Sequence, residues 1–177
     1  MFTTTFSTII SSIILILAIV LIEANYLFNL RRKELDLYID KIKKLIHLRY
    51  DFFPYLIEAI SEYLPKNEEI DNLIEIRDQA RKYRIYPGWN PETQKKINQI
   101  IDSLMVEARK NLHLKKEVKF LEIEREIKKM NEVIADMIEK YNRMVNGYNN
   151  KLYNPIYFLI HIFKSRNKYP RLEYVNK

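Results

Sequence analysis

The fold of this protein is decided by residues 120–148, which read FLEIEREIKKMNEVIADMIEKYNRMVNGY. Apolar side chains return in this stretch at alternating spacings of three and four residues, which is the period of one face of an α-helix. They are Phe120, Ile123, Ile127, Met130, Ile134, Met137, Tyr141, Met144 and Tyr148. The pattern predicts a long helix over residues 116–153, and Asn154-Pro155 predicts its end.

The composition of the whole chain also favours helices. Its 177 residues include two glycines and six prolines, fewer than a β-sandwich or a nucleotide-binding α/β fold needs. Hydrophobic residues make up 47% of the chain, which is enough for a packed core and excludes a disordered protein. Cysteine is absent, which excludes disulfides, thiolate catalysis and cysteine-ligated zinc.

The N-terminal segment predicts a transmembrane helix. Residues 2–22 carry no charge, and about 20 apolar residues are enough to cross the hydrocarbon core of a bilayer. A buried soluble helix rarely runs this long without a charge, and a cleaved signal peptide needs a basic start. We therefore predict an uncleaved anchor over residues 1–24.

The charges that flank the anchor predict its orientation. No lysine or arginine precedes it, whereas Arg31, Arg32 and Lys33 follow it closely. The positive-inside rule then places the N-terminus outside the cell and the rest of the chain in the cytoplasm. We accordingly predict a single-pass protein of the cell membrane.

Four helices are predicted after the anchor, at residues 25–64, 67–83, 91–112 and 116–153. Pro54 should kink the first of them, while Asn67 and Pro91 are suited to begin the second and the third. The predicted core face of the third helix consists of Ile97, Ile100, Ile101, Leu104, Ala108 and Leu112. Because short connections make sequential helices antiparallel, the predicted fold class is all-α. The transmembrane helix continues into an antiparallel four-helix bundle whose first and last helices are long and follow coiled-coil heptads.

Two arginines interrupt otherwise apolar stripes. Arg49 and Arg77 each stand where the helical period favours an apolar side chain. A buried arginine without partners is very costly, so each of them must either reach outward to solvent or meet polar partners inside. We predict an inward polar layer that sets the helix register and is formed by Arg49, Asp51, Arg77, Asn131 and Asn142.

The C-terminal tail over residues 155–177 pairs an apolar and aromatic run with a basic cluster. In the predicted topology the last helix returns to the membrane, where such a composition suits the bilayer interface. The residues predicted to reach this interface are Tyr157, Phe158, Phe163, Lys164, Arg166, Lys168 and Arg171. The alternative, which the sequence leaves open, is that the run packs on the bundle.

The sequence contains no catalytic motif. No Glu-x-x-His pair marks a di-iron bundle, and neither a glycine-rich phosphate loop nor a Gly-x-Ser-x-Gly motif occurs. We therefore predict a non-enzymatic protein without a cofactor or metal. The net charge of +7 is compatible with nucleic-acid binding. Outside the tail, however, basic residues alternate with acidic ones, as on solvated helix faces. Nucleic-acid binding is therefore disfavoured.

Several short motifs occur in order along nearly the whole chain. They are Arg49-Tyr50-Asp51-Phe52-Phe53-Pro54, Arg77-Asp78-Gln79-Ala80, Phe120-Leu121-Glu122-Ile123-Glu124, Tyr141-Asn142 and Tyr148-Asn149. In these motifs the chain resembles the LemA family of bacterial membrane proteins, as a divergent member with Ile39 and Lys43 where the family usually has tryptophan and aspartate. The resemblance implies an anchored antiparallel helical bundle that mostly faces the cytoplasm, with no established catalytic activity or cofactor.

These features together predict the function of a membrane-anchored helical protein that presents a protein-interaction or scaffolding surface. Its predicted partners are the lipid bilayer and either another protein or a second copy of the chain, with no small-molecule substrate. Two alternatives stay open. One is a membrane-tethered sensor that holds a small ligand at the polar layer, and the other is a lipid-surface or nucleic-acid binder that uses the basic tail.

Overall fold

A computed structural model of the protein describes residues 2–64, 67–82, 91–154 and 167–173. Its α-helices are α1 at Phe2–Asp51, α2 at Phe53–Ser61, α3 at Glu68–Lys82, α4 at Pro91–Lys110 and α5 at Val118–Lys151. A 3₁₀ turn at Leu114–Lys116 lies between α4 and α5. The described residues contain no strand, and the predicted all-α class is confirmed.

The helix predicted over residues 25–64 is interrupted at Phe52, close to the kink predicted at Pro54. α1 ends at Asp51, and Pro54 stands in the first turn of α2, where its missing N–H needs no partner. The backbone N–H of Phe52 donates to the carbonyl of Arg49 at 3.1 Å, which is a tighter turn than the α-helical one. The stretch predicted as one rod is therefore two helices separated by a single residue.

The start of α3 shows the N-cap that the sequence predicted. The side-chain oxygen of Asn67 accepts a hydrogen bond from the backbone N–H of Glu69 at 2.8 Å. Three acidic residues stand in the first turn, where the helix dipole favours negative charge. The amide of Asn67 also donates to Glu107 at 2.7 Å, which ties the start of α3 to α4.

In α5 the buried stripe differs slightly from the predicted one. Met137 and Met144 are half-buried, whereas their neighbours Ile138 and Val145 are buried. Branched side chains lose less conformational entropy than methionine when they are fixed in a core. The buried face of α5 is therefore lined by isoleucine, valine and tyrosine, with the methionines at its edge.

The chain divides into two compact units. The terminal unit combines residues 1–37 with 142–171, and the central unit combines residues 38–141 with 172–177. Helices α1 and α5 each contribute residues to both units.

The central unit has a continuous apolar core drawn from one stripe of each helix. Its buried members include Ile42, Ile46, Phe53, Leu56, Ile60, Leu73, Ile97, Ile101, Leu104, Phe120, Ile127, Ile134 and Tyr141. Within this unit α3 packs against both α4 and α2. The stripes recur at three and four residues, so α3, α4 and α5 each keep a charged face toward solvent.

The terminal unit contains the long apolar segment at the start of α1. Among the described residues, this N-terminal helix is the one that is long and apolar enough to cross a membrane, and no residue of its apolar window is buried. The hydroxyls of Ser11 and Ser12 donate to the carbonyls of Ser7 and Thr8, both at 2.9 Å. These bonds satisfy the hydroxyl groups within the helix itself.

Farther along, the terminal unit is held together by aromatic side chains. The rings of Phe28 in α1 and Tyr148 in α5 lie 4.4 Å apart, and Tyr148 meets Tyr169 edge to face at 5.2 Å. The side chain of Asn149 binds the backbone of Tyr169 twice, at 2.9 and 3.1 Å. Residues that follow α5 in sequence are thus fixed against α5 and α1.

Candidate functional site

The side chain of Arg49 is the largest buried polar group described in the central unit. It stands in the last turn of α1 and is completely inaccessible to solvent. One terminal nitrogen donates to the side-chain oxygens of Asn98 at 2.8 Å and Asn131 at 2.9 Å. The other donates to the side-chain oxygen of Gln94 at 2.7 Å. One guanidinium therefore joins three helices, because Gln94 and Asn98 belong to α4 and Asn131 belongs to α5.

We call these four side chains the arginine layer. A further bond supports it, since the amide nitrogen of Gln94 donates to the hydroxyl of Tyr50 at 2.8 Å. The Tyr50 ring also packs 5.3 Å from the ring of Phe53 and lies 5.8 Å from the guanidinium carbon of Arg49. The amide of Gln94 is thus oriented from both ends, with its oxygen toward the cation and its nitrogen toward the phenol.

The chemistry of the arginine layer is that of a positioning device. Hydrogen bonds from a charged donor are shorter and about twice as strong as neutral ones, and here three of them converge from two helices on one group. A guanidinium offers only hydrogen-bond donors and an amide oxygen only accepts, so the groups of the layer match each other. No group of three or more His, Asp or Glu side chains able to hold a metal ion is found in the described part of the chain.

Two of the five residues predicted for an inward polar layer meet in the structure. Arg49 and Asn131 are bonded at 2.9 Å. Asp51, by contrast, is exposed, because two residues along a helix turn the side chain about 200° away from Arg49. Asn142 is half-buried and belongs to the terminal unit.

Arg77 differs from the prediction in its choice of partner. Its guanidinium donates to Asp78 from two nitrogens, at 2.9 and 2.7 Å, and the Asp78 side chain is 58% exposed. The neighbouring carboxylate offers a charged partner at the surface without desolvation, so Arg77 binds there at the edge of the core. Glu124 of α5 pairs with Arg109 of α4 at 2.7 Å.

Sequence reasoning missed Gln94 and Asn98, although a signal for them exists. Both are buried, and they continue the four-and-three spacing of Ile101, Met105 and Ala108 toward the start of α4. The predicted face contained only apolar residues, and it included Leu112, which lies beyond α4 and is 76% exposed. A polar pair four residues apart on a buried stripe is the pattern that would have revealed the amide ligands.

The basic tail is described only in part. Of its predicted interface residues, Tyr157, Phe158, Phe163, Lys164 and Arg166 lie outside the described residues. Lys168 is exposed and bonds the hydroxyl of Tyr153, with its ammonium 4.8 Å from the centre of that ring. Arg171 is exposed as well.

Tyr169 is the residue that fixes the described part of the tail. Its hydroxyl donates to a carboxylate oxygen of Asp36 at 2.6 Å. Burial, followed by the hydrogen bond to Asp36, raises the pKa of Tyr169 to about 12. A hydrogen bond with Tyr169 in turn raises the pKa of Arg32 above its ordinary value. Arg32, Asp36 and Tyr169 therefore form one bonded cluster that joins the tail to α1.

A groove of about 520 Å³, here called the central groove, lies between α4 and α5 in the central unit. Its walls include Met105, Val106 and Ile127, and Asn131 of the arginine layer also lines it. Asp102 stands at this groove, and burial raises the pKa of its carboxyl. The layer is therefore adjacent to a space that a small molecule can enter.

Fold and site together define an all-helical protein with one N-terminal helix apolar enough to span a membrane and a buried arginine shared by three helices. Residues 38–173 match the LemA family, and this match covers most of the chain. The protein therefore belongs to the LemA family. No curated protein matches the chain at a significant level.

Proposed function

We propose that the protein is a single-pass membrane protein whose helical domain acts by binding other proteins rather than by catalysis. The observation that carries the proposal is the apolar window of the N-terminal helix, none of which is buried. Soluble monomers rarely expose a continuous apolar surface larger than a few hundred Å². A bilayer is the environment in which a bare apolar helix of this length is stable.

The same proposal includes the orientation and the topology. Arg31, Arg32 and Lys33 follow the apolar segment, which supports an N-terminus outside the cell and a cytoplasmic helical domain. Short connections between successive helices support an antiparallel four-helix arrangement. The 3₁₀ turn between α4 and α5 is such a connection.

Exposed apolar residues of the central unit support the binding role. Leu112 and Val118 are 76% and 67% exposed, and they flank the 3₁₀ turn between α4 and α5. Isolated apolar residues are common on surfaces, but two large ones beside one short turn suit a protein contact. The arginine layer supports a non-catalytic role, because Arg49 joins α1, α4 and α5 through three hydrogen bonds.

Membrane anchoring is tested by fractionating cells that express the full chain. We expect the protein to stay in the membrane pellet after a sodium carbonate wash. The double variant Leu15→Lys with Ile19→Lys should leave the pellet, since each charge at the centre of a span costs about 2.5–3.5 kcal/mol. The matched control, Leu112→Lys with Val118→Lys, should remain in the pellet. A wild-type protein found in the supernatant contradicts the proposal.

Because the chain contains no cysteine, orientation and partners are tested with single cysteines. A cysteine inserted before Phe2 should react with a membrane-impermeant maleimide in intact cells, and Leu112→Cys should react only after permeabilisation. A photo-crosslinker on Leu112→Cys or Val118→Cys should give a discrete adduct with a second polypeptide. The exposed control position Lys129→Cys should not give this adduct. Equal labelling at all positions, or no adduct at Leu112 and Val118, contradicts the proposal.

A second candidate function, a ligand sensor, is supported by the central groove, which reaches Asn131 of the arginine layer. Small-molecule sites occupy spaces of this size between helices. A metabolite that raises the melting temperature of the wild type should fail to do so with Val106→Trp, which fills the groove. The control Leu121→Trp, at an exposed position outside the residues that line the groove, should keep the shift. If no metabolite shifts the wild type, the sensor function is rejected.

A further inference from the structure

A second groove, here called the terminal groove, lies between α1 and α5 within the terminal unit. It has a volume of about 420 Å³. Its floor includes Phe28, Leu35 and Tyr148, which are buried, and its wall on α5 includes Gly147. An apolar floor of this kind suits a hydrocarbon chain better than a water-soluble metabolite.

The rim of the terminal groove is basic. Arg31 on α1 and Arg143 and Lys151 on α5 line it, and all three are exposed. None of the lining residues that the structure describes is acidic. Arg31 lies 3.3 Å from Glu34 in an exposed ion pair, and such pairs contribute little and exchange readily. The rim therefore favours a ligand with a negatively charged head.

The position of the groove along α1 matches the headgroup layer of a bilayer. If the apolar segment ends at Ile22, a helical rise of about 1.5 Å per residue places Arg31 roughly 13 Å farther along the axis. The polar headgroup region extends about 5–7 Å beyond the hydrocarbon core, and arginine side chains reach several Å back toward it. Tyr26, Leu27 and Leu30 are exposed, so apolar surface continues from the predicted span to the groove.

Gly147 leaves open space at the wall of the groove. A Cβ atom added at this position would meet no heavy atom within 4 Å. A glycine inside a helix costs roughly 0.5–1 kcal/mol relative to alanine, and at this position no steric need for glycine offsets that cost. The missing side chain leaves space in the wall between Arg143 and Lys151, each four residues away.

We propose that the terminal groove binds an anionic phospholipid of the adjoining bilayer. The acyl chains pack against Leu27 and Phe28, which lie on the membrane side of Arg31, and the phosphate is held by Arg31, Arg143 and Lys151. The inference rests on the proposed membrane span, because only an anchored chain holds the groove at the headgroup layer. It concerns a lipid held at one defined site, which is distinct from attraction of the C-terminal tail to the membrane surface.

The proposal is tested by native mass spectrometry of the full-length protein in detergent, titrated with phosphatidylglycerol or phosphatidylcholine. We expect one phosphatidylglycerol to be retained at concentrations where phosphatidylcholine is not. Each basic residue near anionic lipid contributes about fivefold in affinity, so Arg143→Gln with Lys151→Gln should weaken binding by about 25-fold. Lys128→Gln with Lys129→Gln removes the same charge from the central part of α5 and should change binding less than twofold.

Filling the groove provides a test that leaves every charge in place. Gly147→Trp should abolish retention of phosphatidylglycerol, whereas Gly147→Ala should keep it, and circular dichroism checks that both variants remain helical. Equal retention of the two lipids, or unchanged binding by a folded Gly147→Trp, overturns the proposal. Displacement of the lipid by an equal concentration of inorganic phosphate also overturns it, since the site is then one for free phosphate.

The failure of this inference can be told apart from the failure of the membrane anchor. A protein that stays in carbonate-washed membranes but shows no lipid preference refutes the lipid site alone. A protein released from the membranes refutes the anchor, and with it the reason for placing the groove beside lipid.

Discussion

The two units of the protein use arginine in opposite ways. In the central unit, Arg49 is fully buried and held by three amide oxygens. In the terminal unit, Arg31 and Arg143 stay exposed at the edge of an apolar groove. A buried cation must be surrounded by fixed partners, whereas an exposed cation keeps contact with water. The central unit therefore encloses its arginine among amides, and the terminal unit presents its arginines to solvent.

The largest effect on stability should come from removing the buried cation. Arg49→Ala leaves three amide oxygens without their donor and opens a cavity, so we expect a loss of about 3–5 kcal/mol. The measurement is chemical denaturation of the full-length protein in detergent, followed by circular dichroism. Arg77→Ala, which removes an arginine with a partner at the surface, should cost about 1 kcal/mol or less. A loss below about 1 kcal/mol for Arg49→Ala would show that the layer contributes little.

Removing one amide from the layer should have an intermediate effect. Asn98→Leu deletes one of the three acceptors that Arg49 uses, and we expect a loss of about 1–3 kcal/mol. Because the two residues share one network, the double variant with Arg49→Met should cost less than the sum of the single variants. Strictly additive losses in the same denaturation assay would indicate that the residues act independently.

Tyr169→Phe should lower stability by about 1 kcal/mol, since it deletes the exposed hydrogen bond to Asp36. The effect should depend on pH, because the pKa of Tyr169 is raised from 10.0 to about 12 in the folded protein. A raised pKa means that this stabilisation is complete below pH 10 and is lost as the pH rises through about 12. The difference between wild type and variant should therefore shrink over that window. A difference that stays constant to about pH 12 would exclude the phenol as its source.

The smallest effect should be a gain in stability. Gly147→Ala adds a methyl group where no atom lies within 4 Å, so the helix gains about 0.5–1 kcal/mol from the more restricted unfolded chain. The control is Asn146→Ala, an exposed neighbour that should change stability by about 0.5 kcal/mol or less. A destabilised Gly147→Ala variant would show that the groove wall is closer than the structure places it.

The helices could be predicted from the sequence because their signals are local. The four-and-three spacing in α5, the proline in the first turn of α2 and the Asn67 cap act within a few residues of the chain. The edges of the buried stripes were less accurate. Whether Met137 or Ile138 faces the core depends on the neighbouring helix, which a single segment does not reveal.

The arginine layer could be predicted only in outline. Arg49 was recognised as a polar residue on an apolar stripe, and Asn131 was one of the residues predicted to share its layer. The choice of amides from α4 over Asp51 depends on how three helices pack, which is a long-range property. Tyr169 was missed for the same reason, since it lies outside any periodic segment and is fixed by Asn149 twenty residues earlier.

Sharing one guanidinium among three helices also has an evolutionary consequence. Positions 49, 94, 98 and 131 cannot vary independently, because loss of any one of them leaves a buried group unsatisfied in the others. We expect related sequences to exchange all four for an apolar set, or to keep all four. Replacing such a buried polar set as a whole is often neutral or stabilising. Sequences that have exchanged only some of the four residues should therefore be less stable than sequences with either complete set.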